Sequence, residues 1–181
     1  MMIEISLHIL DVVQNSIKAD ASRIEILIDE DVLHNVLSIK ITDNGKGMSE
    51  EFTKKVTDPF VTMRKTRKVG LGLSLLKAAA ELTGGGMSVK SKLGVGTEVE
   101  ARFVYDSIDR MPLGDMSFTM VTLVACNPDI EFIYIHKYNG KTFEFSTESI
   151  KEVLDGVAIT EQRILQWIEE YIVEGVCELK K

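Results

Sequence analysis

The chain has 181 residues, 45% of them apolar and 27% charged, with a formal net charge of −7. That length allows a full hydrophobic core with room for a small appendage, and the composition excludes a disordered chain. The acidic balance argues against a general nucleic-acid binder, and no run of ~20 apolar residues is present to span a bilayer. The amino-terminal MMIEISLHILD carries acids where a secretion signal would carry bases, so the expected location is the cytoplasm. Cys126 and Cys177 lack a CxxC spacing, which predicts buried or idle thiols in a reducing compartment and no metal site.

In chain order, IEIS predicts a short strand, with Ser6 as the N-cap of a following helix. Leu7, Leu10, Val13 and Ile17, flanked by Ile9 and Val12, supply that helix's buried stripe. Asp11 and Asn15 lie four residues apart, so both side chains leave the helix on one side, next to that stripe. SRIEILIDED alternates Ile24, Ile26 and Ile28 as a strand does, and LHNVLSIKITDNG gives a second strand through Ile39 and Ile41. The turn residues Asp43, Asn44 and Gly45 end it. SEEFTKKV predicts a short helix capped by Ser49, and residues 58 to 70 read as a mobile loop without clean periodicity. That loop holds RKTRK, residues 64 to 68, the most basic run in the chain. LSLLKAAAELT predicts a helix ending at Gly84, Gly85 and Gly86. MSVKSK and GTEVEARFVY complete a hairpin joined by LGVG. Helix, strand, strand, helix, strand, strand predicts an α+β fold, a two-layer sandwich with helices on one face of a mixed sheet.

After Tyr105, DSIDRMPLGD reads as a linker and MSFTMVTLVAC as a helix. A turn at NPD and a hairpin around Asn139-Gly140 follow. STESIKEVL and TEQRILQWIEEYIVEG predict two final helices, the second with Ile164, Trp167, Ile168, Tyr171 and Ile172 along one side. The expected division is a domain over residues 1–105 and a small α+β unit over 106–181. The aromatic stripe of that unit is either core or an interface to a partner or a second copy.

Three glycine-rich stretches carry the chemistry. DNGKGM puts a carboxylate before two glycines at a strand's end, GLGLSLLK puts two glycines where a loop enters a helix, and GVGTEVE places a third pair at a hairpin. The second suits phosphate, because glycine lets backbone approach closely and a helix N-terminus offers free N–H groups and partial positive charge. It is not a Walker loop, since no Lys-Ser or Lys-Thr pair follows the glycines.

Taken in order, these stretches resemble the GHKL superfamily of ATP-binding domains, the group of DNA gyrase, Hsp90-type chaperones, histidine kinases and MutL. DVVQNSIKADASRIEI resembles its asparagine box and DNGKGM its first glycine box. DPFVTMRKTRKVGLGLSLLK is similar to its phenylalanine box, lid and second glycine box, and GVGTEVEARF to its last. The resemblance covers roughly residues 3 to 105 and implies a Bergerat-type ATP-binding fold. It implies that Asn15 holds a Mg2+ ion bridging the ATP phosphates, which suits a hard cation that prefers oxygen and keeps several waters. Asp43 would accept a hydrogen bond from the adenine amino group, with Gly45 and Gly47 letting backbone pass the base and Thr97 helping to hold it. Gly70, Leu71 and Gly72 would approach the phosphates, Arg64 or Lys65 would touch the γ-phosphate, and Phe60 would pack the base of the lid.

In the hydrolysing and serine-phosphorylating branches the general base is a glutamate four residues before the Mg2+ asparagine. Here that position is Asp11, one methylene shorter, so it is either a base, directly or through a water, or has no catalytic role. His8, one turn earlier, either tunes Asp11 or is a structural histidine. Lys68 replaces a glycine usual in histidine kinases. None of His8, His34 or His136 stands in a phosphoacceptor context, so a self-contained sensor kinase is not expected. The resemblance implies a Mg2+-ATP-dependent phosphotransferase, of the anti-sigma serine/threonine or trans-acting histidine-kinase-like type, or a slow ATPase acting on a protein partner. The alternative is a non-catalytic nucleotide-sensing adaptor, with a resemblance to ATP-binding partners of iron-only hydrogenase subunits. ATP or ADP, a protein phosphoacceptor and a second copy of the chain are the expected partners; nucleic acid and membrane are not.

Overall fold

The computed structural model describes residues 3–56 and 72–181. Its elements are α1 (Ile5–Lys18), β1 (Arg23–Asp31), β2 (Val36–Asp43), α2 (Glu50–Lys55), α3 (Gly72–Leu82), β3 (Gly86–Lys92) and β4 (Gly96–Val104), then α4 (Met116–Cys126), β5 (Glu131–Tyr138), β6 (Lys141–Ser146), α5 (Thr147–Val153) and α6 (Gln162–Leu179). The strands form one six-stranded sheet in the order β3-β4-β2-β1-β5-β6. β1 and β5 run parallel, and the other neighbours pair antiparallel. The predicted α+β sandwich on a mixed sheet is therefore what forms, and the strands after residue 105 lengthen the same sheet.

Period-two alternation decides which way each strand faces. Ile24, Ile26 and Ile28 of β1 are fully buried, in register with Ile41 and Ile39 of β2 and with Phe132 and Tyr134 of β5. Val99, Ala101 and Phe103 of β4 continue the row. Helix α1 lays Ile5, Ile9, Val12 and Val13 into that layer and packs against α3 and α4. The opposite face is polar over β4, where Glu98 meets Lys90 and Lys40, and Glu100 meets Arg102. Two inward rows end on a carboxylate instead of an aliphatic. Asp43 follows Leu37, Ile39 and Ile41 on β2, and Glu30 follows Ile28 on β1. Since Ile24 pairs with Asp43 and Glu30 with Leu37, the two acids stand at opposite ends of the sheet.

The predicted start of the chain is corrected. No strand forms over residues 3–6; α1 begins at Ile5 and its N-cap is Glu4, without a side-chain cap. The N–H groups of Ile5 and Ser6 instead donate to the carbonyls of Pro112 and Leu113, at 3.0 and 2.8 Å. Backbone from the linker thus satisfies helix-end donors that a capping hydroxyl would otherwise take. Ser6 donates its hydroxyl to Glu4. The cap predicted at Ser49 is present, accepting from Phe52 N–H. Asn139 and Gly140 both have positive φ, 45° and 86°, as a type I′ hairpin turn requires. The α6 stripe divides: Ile168 and Ile172 are core, while Trp167 and Tyr171 are exposed. Both cysteines are free and exposed. Among the described residues, no helix is long and apolar enough to cross a membrane.

Candidate functional site

The end of the sheet that carries Asp43 gathers most of the residues singled out in the sequence. Its carboxylate is fixed from three directions. Ser16 of α1 donates its hydroxyl to Oδ2 at 2.6 Å, and the N–H groups of Gly45 and Thr97 donate to Oδ1 at 2.9 and 3.2 Å. The Gly45 contact is the Asx turn that a strand-ending Asp makes with the backbone two residues on. Thr97 is opposite Asp43 in the β2–β4 register, and its hydroxyl is engaged with that of Ser91 at 2.8 Å. Ser91 also accepts from Met48 N–H, tying the first glycine stretch to β3.

The glycines are needed by this packing. A Cβ on Gly45 would lie 2.8 Å from the Ala19 carbonyl oxygen. One on Gly47, whose φ is +64°, would run into the carbonyl of Lys92. Gly96 has φ +139° and faces the Asp43 carbonyl just as closely. Without side chains here, the loop after β2 and the β3–β4 turn close around the carboxylate.

Helix α1 connects this pocket of acceptors to the start of α3. From Asp11 to Ser16 is roughly 7.5 Å along a helix axis at 1.5 Å per residue. Ser16 touches Asp43. At the other end, a Cβ on Gly72, the first residue of α3, would overlap Oδ2 of Asp11. The Asp11 carboxylate therefore rests against the N-terminus of α3, where backbone N–H groups and the helix dipole favour anions. Asn15 stands between, one turn on from Asp11. Among the described residues neither Asp11 nor Asn15 commits its side chain to a hydrogen bond, and both are partly exposed.

His8 is buried, and its Nδ1 has no hydrogen-bond partner among the described residues. Burial pushes the imidazole below its ordinary value, while the nearby Asp11 charge works in the opposite direction. The structure thus brings together Asp11, Asn15, Asp43, Gly45, Gly47, Gly72 and Thr97. Phe60, Arg64, Lys65, Gly70 and Leu71 lie outside the described residues. Sequence reasoning missed Ser16 and Ser91, and named Gly96 only as one of the third glycine pair. A serine next to Asn15, on the buried side of an apolar helix, was the one available signal for the first of them.

Asn15 offers an uncommitted carboxamide oxygen, which fits a hard divalent cation held by one side chain, phosphates and water. Among the described residues no three His, Cys, Asp or Glu side chains gather to hold a metal by themselves.

Residues 3–107 match the family model described as histidine kinase-, DNA gyrase B-, and HSP90-like ATPase, and the chain belongs to this family. Its domain implies ATP binding. Histidine protein kinase DivJ of Caulobacter vibrioides is 34% identical over 98 residues, 52% of this chain and 16% of that protein. Sporulation kinase D of Bacillus subtilis is 34% identical over 91 residues, 50% of this chain and 18% of its own length. The chain thus spans under a fifth of these curated relatives. Among solved structures, the Aquifex aeolicus MutL ATPase domain complexed with ADP is similar in fold, with a TM-score of 0.52 at 17% identity. The match covers 86% of this chain and 68% of that one. That share exceeds residues 3–107, so the likeness of fold runs on into the carboxy-terminal part.

Proposed function

We propose that the protein is a cytoplasmic Mg2+-ATP-dependent phosphotransferase or slow ATPase that acts on a protein partner. The observation that carries this reading is the Asp11 carboxylate, resting on Gly72 at the mouth of α3 and free of other side-chain bonds among the described residues. Asp43, its oxygens oriented by Ser16, Gly45 and Thr97, accepts from the amino group of adenine and selects it over guanine, which presents a carbonyl there. The phosphates then lie toward the α3 N-terminus, whose N–H groups stabilise their charge. Asn15 would hold Mg2+, which when bound neutralises phosphate charge and orients the chain of phosphates. Asp11 is placed to take the proton from an attacking water or protein hydroxyl, through a bridging water where the shorter arm falls short. The kinase names of DivJ and sporulation kinase D support transfer over simple binding.

Turnover of radiolabelled ATP tests the reading. Asp11→Asn keeps shape and removes basicity, so nucleotide affinity survives while turnover falls ~10²–10⁴-fold, the usual share of general-base catalysis. Asp11→Glu lengthens the arm and retains or raises the rate. If wild type shows no turnover and Asp11→Glu creates none, the chain is a nucleotide-sensing adaptor. In parallel calorimetry, Asn15→Ala loses most of the Mg2+-dependent affinity; unchanged Mg2+ dependence removes Asn15 from the site.

A further inference from the structure

Far from the nucleotide site, strand β6 forms one edge of the sheet and helix α6 packs beside it. The two-residue turn makes Tyr138 and Lys141 a hydrogen-bonded pair, so His136–Phe143 and Tyr134–Phe145 are hydrogen-bonded pairs as well. By the same alternation Thr142 and Glu144 direct their N–H and C=O groups away from β5, over an edge that no described strand covers. Aromatic side chains extend from this edge onto the helix. The ring of Phe143 lies 5.3 Å from that of Tyr171, which stacks on Trp167 at 5.2 Å and 14°. Phe143 fits there because Gly175 of α6 has no side chain; a Cβ would overlap its ring. Trp167 is 46% exposed and Tyr171 38%, while Ile168 and Ile172 of the same helix are core.

We infer that this edge and shelf form a docking groove for an extended segment of a protein partner, one that alternates apolar and basic residues. An added strand pairs its backbone with Thr142 and Glu144. Side chains on the helix side of such a strand meet Tyr171 and Trp167, and this favours apolar residues. Those on the other side run beside Thr142 and Glu144. The surrounding charge selects bases: Glu170 and Glu174 share the helix stripe with Trp167 and Tyr171, and neither they nor Glu144 form an ion pair among the described residues. Lys137, Lys141 and Lys180, whose ammonium lies over the Tyr138 ring, gather at the turn, and Arg163 stands one helical turn before Trp167, so away from the turn Glu144, Glu170 and Glu174 outnumber that base. An exposed edge backed by aromatics is a liability for aggregation unless something uses it.

Trp167 is the chain's one tryptophan, so its emission reports on the groove directly. The probe is a ten-residue peptide alternating valine and lysine, titrated into the full chain, with a valine–glutamate peptide as control. The basic peptide shifts Trp167 emission saturably and the acidic one does not. Fluorescence anisotropy of a labelled copy of the basic peptide then reads the variants. Thr142→Pro removes one outward N–H, leaves every charge in place, and is tolerated on an edge strand. It weakens binding about tenfold without lowering the melting temperature. Trp167→Ala weakens it by a similar factor. Equal binding by Thr142→Pro and wild type, equal response to the acidic peptide, or sedimentation showing that a second copy occupies this edge would each overturn the proposal. None of these outcomes touches ATP binding at the other end of the sheet.

Discussion

A carboxylate reads a base well only if its own oxygens cannot turn. Asp43 meets that demand through its three donors, Ser16 Oγ on one oxygen and two backbone N–H groups on the other. Replacing it by asparagine puts an NH2 group against at least one of these donors, and also removes the charge that strengthens the bond to adenine. Asp43→Asn should therefore weaken ADP binding by about 1.5–3 kcal/mol, and Ser16→Ala by about 0.5–1.5 kcal/mol, as calorimetry can measure. Equal binding of ADP and GDP by wild type would show that Asp43 does not read the base. Asp43 and its glycines were legible in the sequence because a strand that ends Asp-Asn-Gly demands a turn with free backbone. Ser16 was not. A hydroxyl on a buried helix face acquires meaning only once β2 delivers a carboxylate opposite it, and no local pattern encodes that meeting. Ser91 escaped for the same reason, since its partners Met48 and Thr97 come from two other segments.

Helix α3 contributes its N-terminus, and Gly72 decides how closely Asp11 can approach it. In Gly72→Ala the new Cβ would meet the end of a flexible side chain, so Asp11 swings aside and the fold keeps its stability. Gly72 is the first residue of α3, so alanine there contributes less than the ~1 kcal/mol it would in a helix interior. The expected result is an unchanged or slightly raised melting temperature with turnover reduced by ~10²-fold, the scale of a misplaced reacting group. A variant with wild-type turnover would show that the Asp11–Gly72 contact does not set the chemistry. Most elements could be read from local signals: alternation in β1 and β2, the Ser49 cap, the Asn139-Gly140 turn. The start of α1 could not, because its acceptors are carbonyls of Pro112 and Leu113, more than a hundred residues on. Nor could the pairing of β5 with β1. Parallel neighbours are joined through a long connection, and nothing within residues 131–138 names the strand they will meet.

At the scale of the whole molecule, the sheet carries a buried ionic network at the end opposite Asp43. Glu30 Oε1 accepts from His136 Nε2 at 2.7 Å and pairs with Lys180 Nζ at 2.9 Å, and Oε2 accepts from the Tyr105 hydroxyl at 3.0 Å. His136 Nδ1 meets the hydroxyl of Tyr134 at 2.7 Å. Burial, followed by the Glu30 charge, pushes the Tyr134 phenol upward, so it stays protonated. The arrangement ties β1, β5, the segment after β4 and the carboxy terminus of α6 to one carboxylate. Burial by itself would raise the Glu30 carboxyl; the bonds from His136, Lys180 and Tyr105 outweigh it and bring the group from its ordinary 4.5 down to about 2. Because the folded carboxyl titrates below the unfolded one, its stabilising contribution is whole above about pH 4.5 and drains away as pH falls toward 2. Glu30→Gln sets an amide against donors on both oxygens and should cost about 1–3 kcal/mol at pH 7. Urea melts of wild type and variant at pH 6 and pH 3 test both halves of the argument. The gap between the two proteins should narrow at pH 3, where the wild-type carboxyl has lost most of its advantage over the unfolded chain. A gap that stays constant across this range would mean that Glu30 stabilises by shape alone, and that its charge contributes nothing to holding α6 on the sheet.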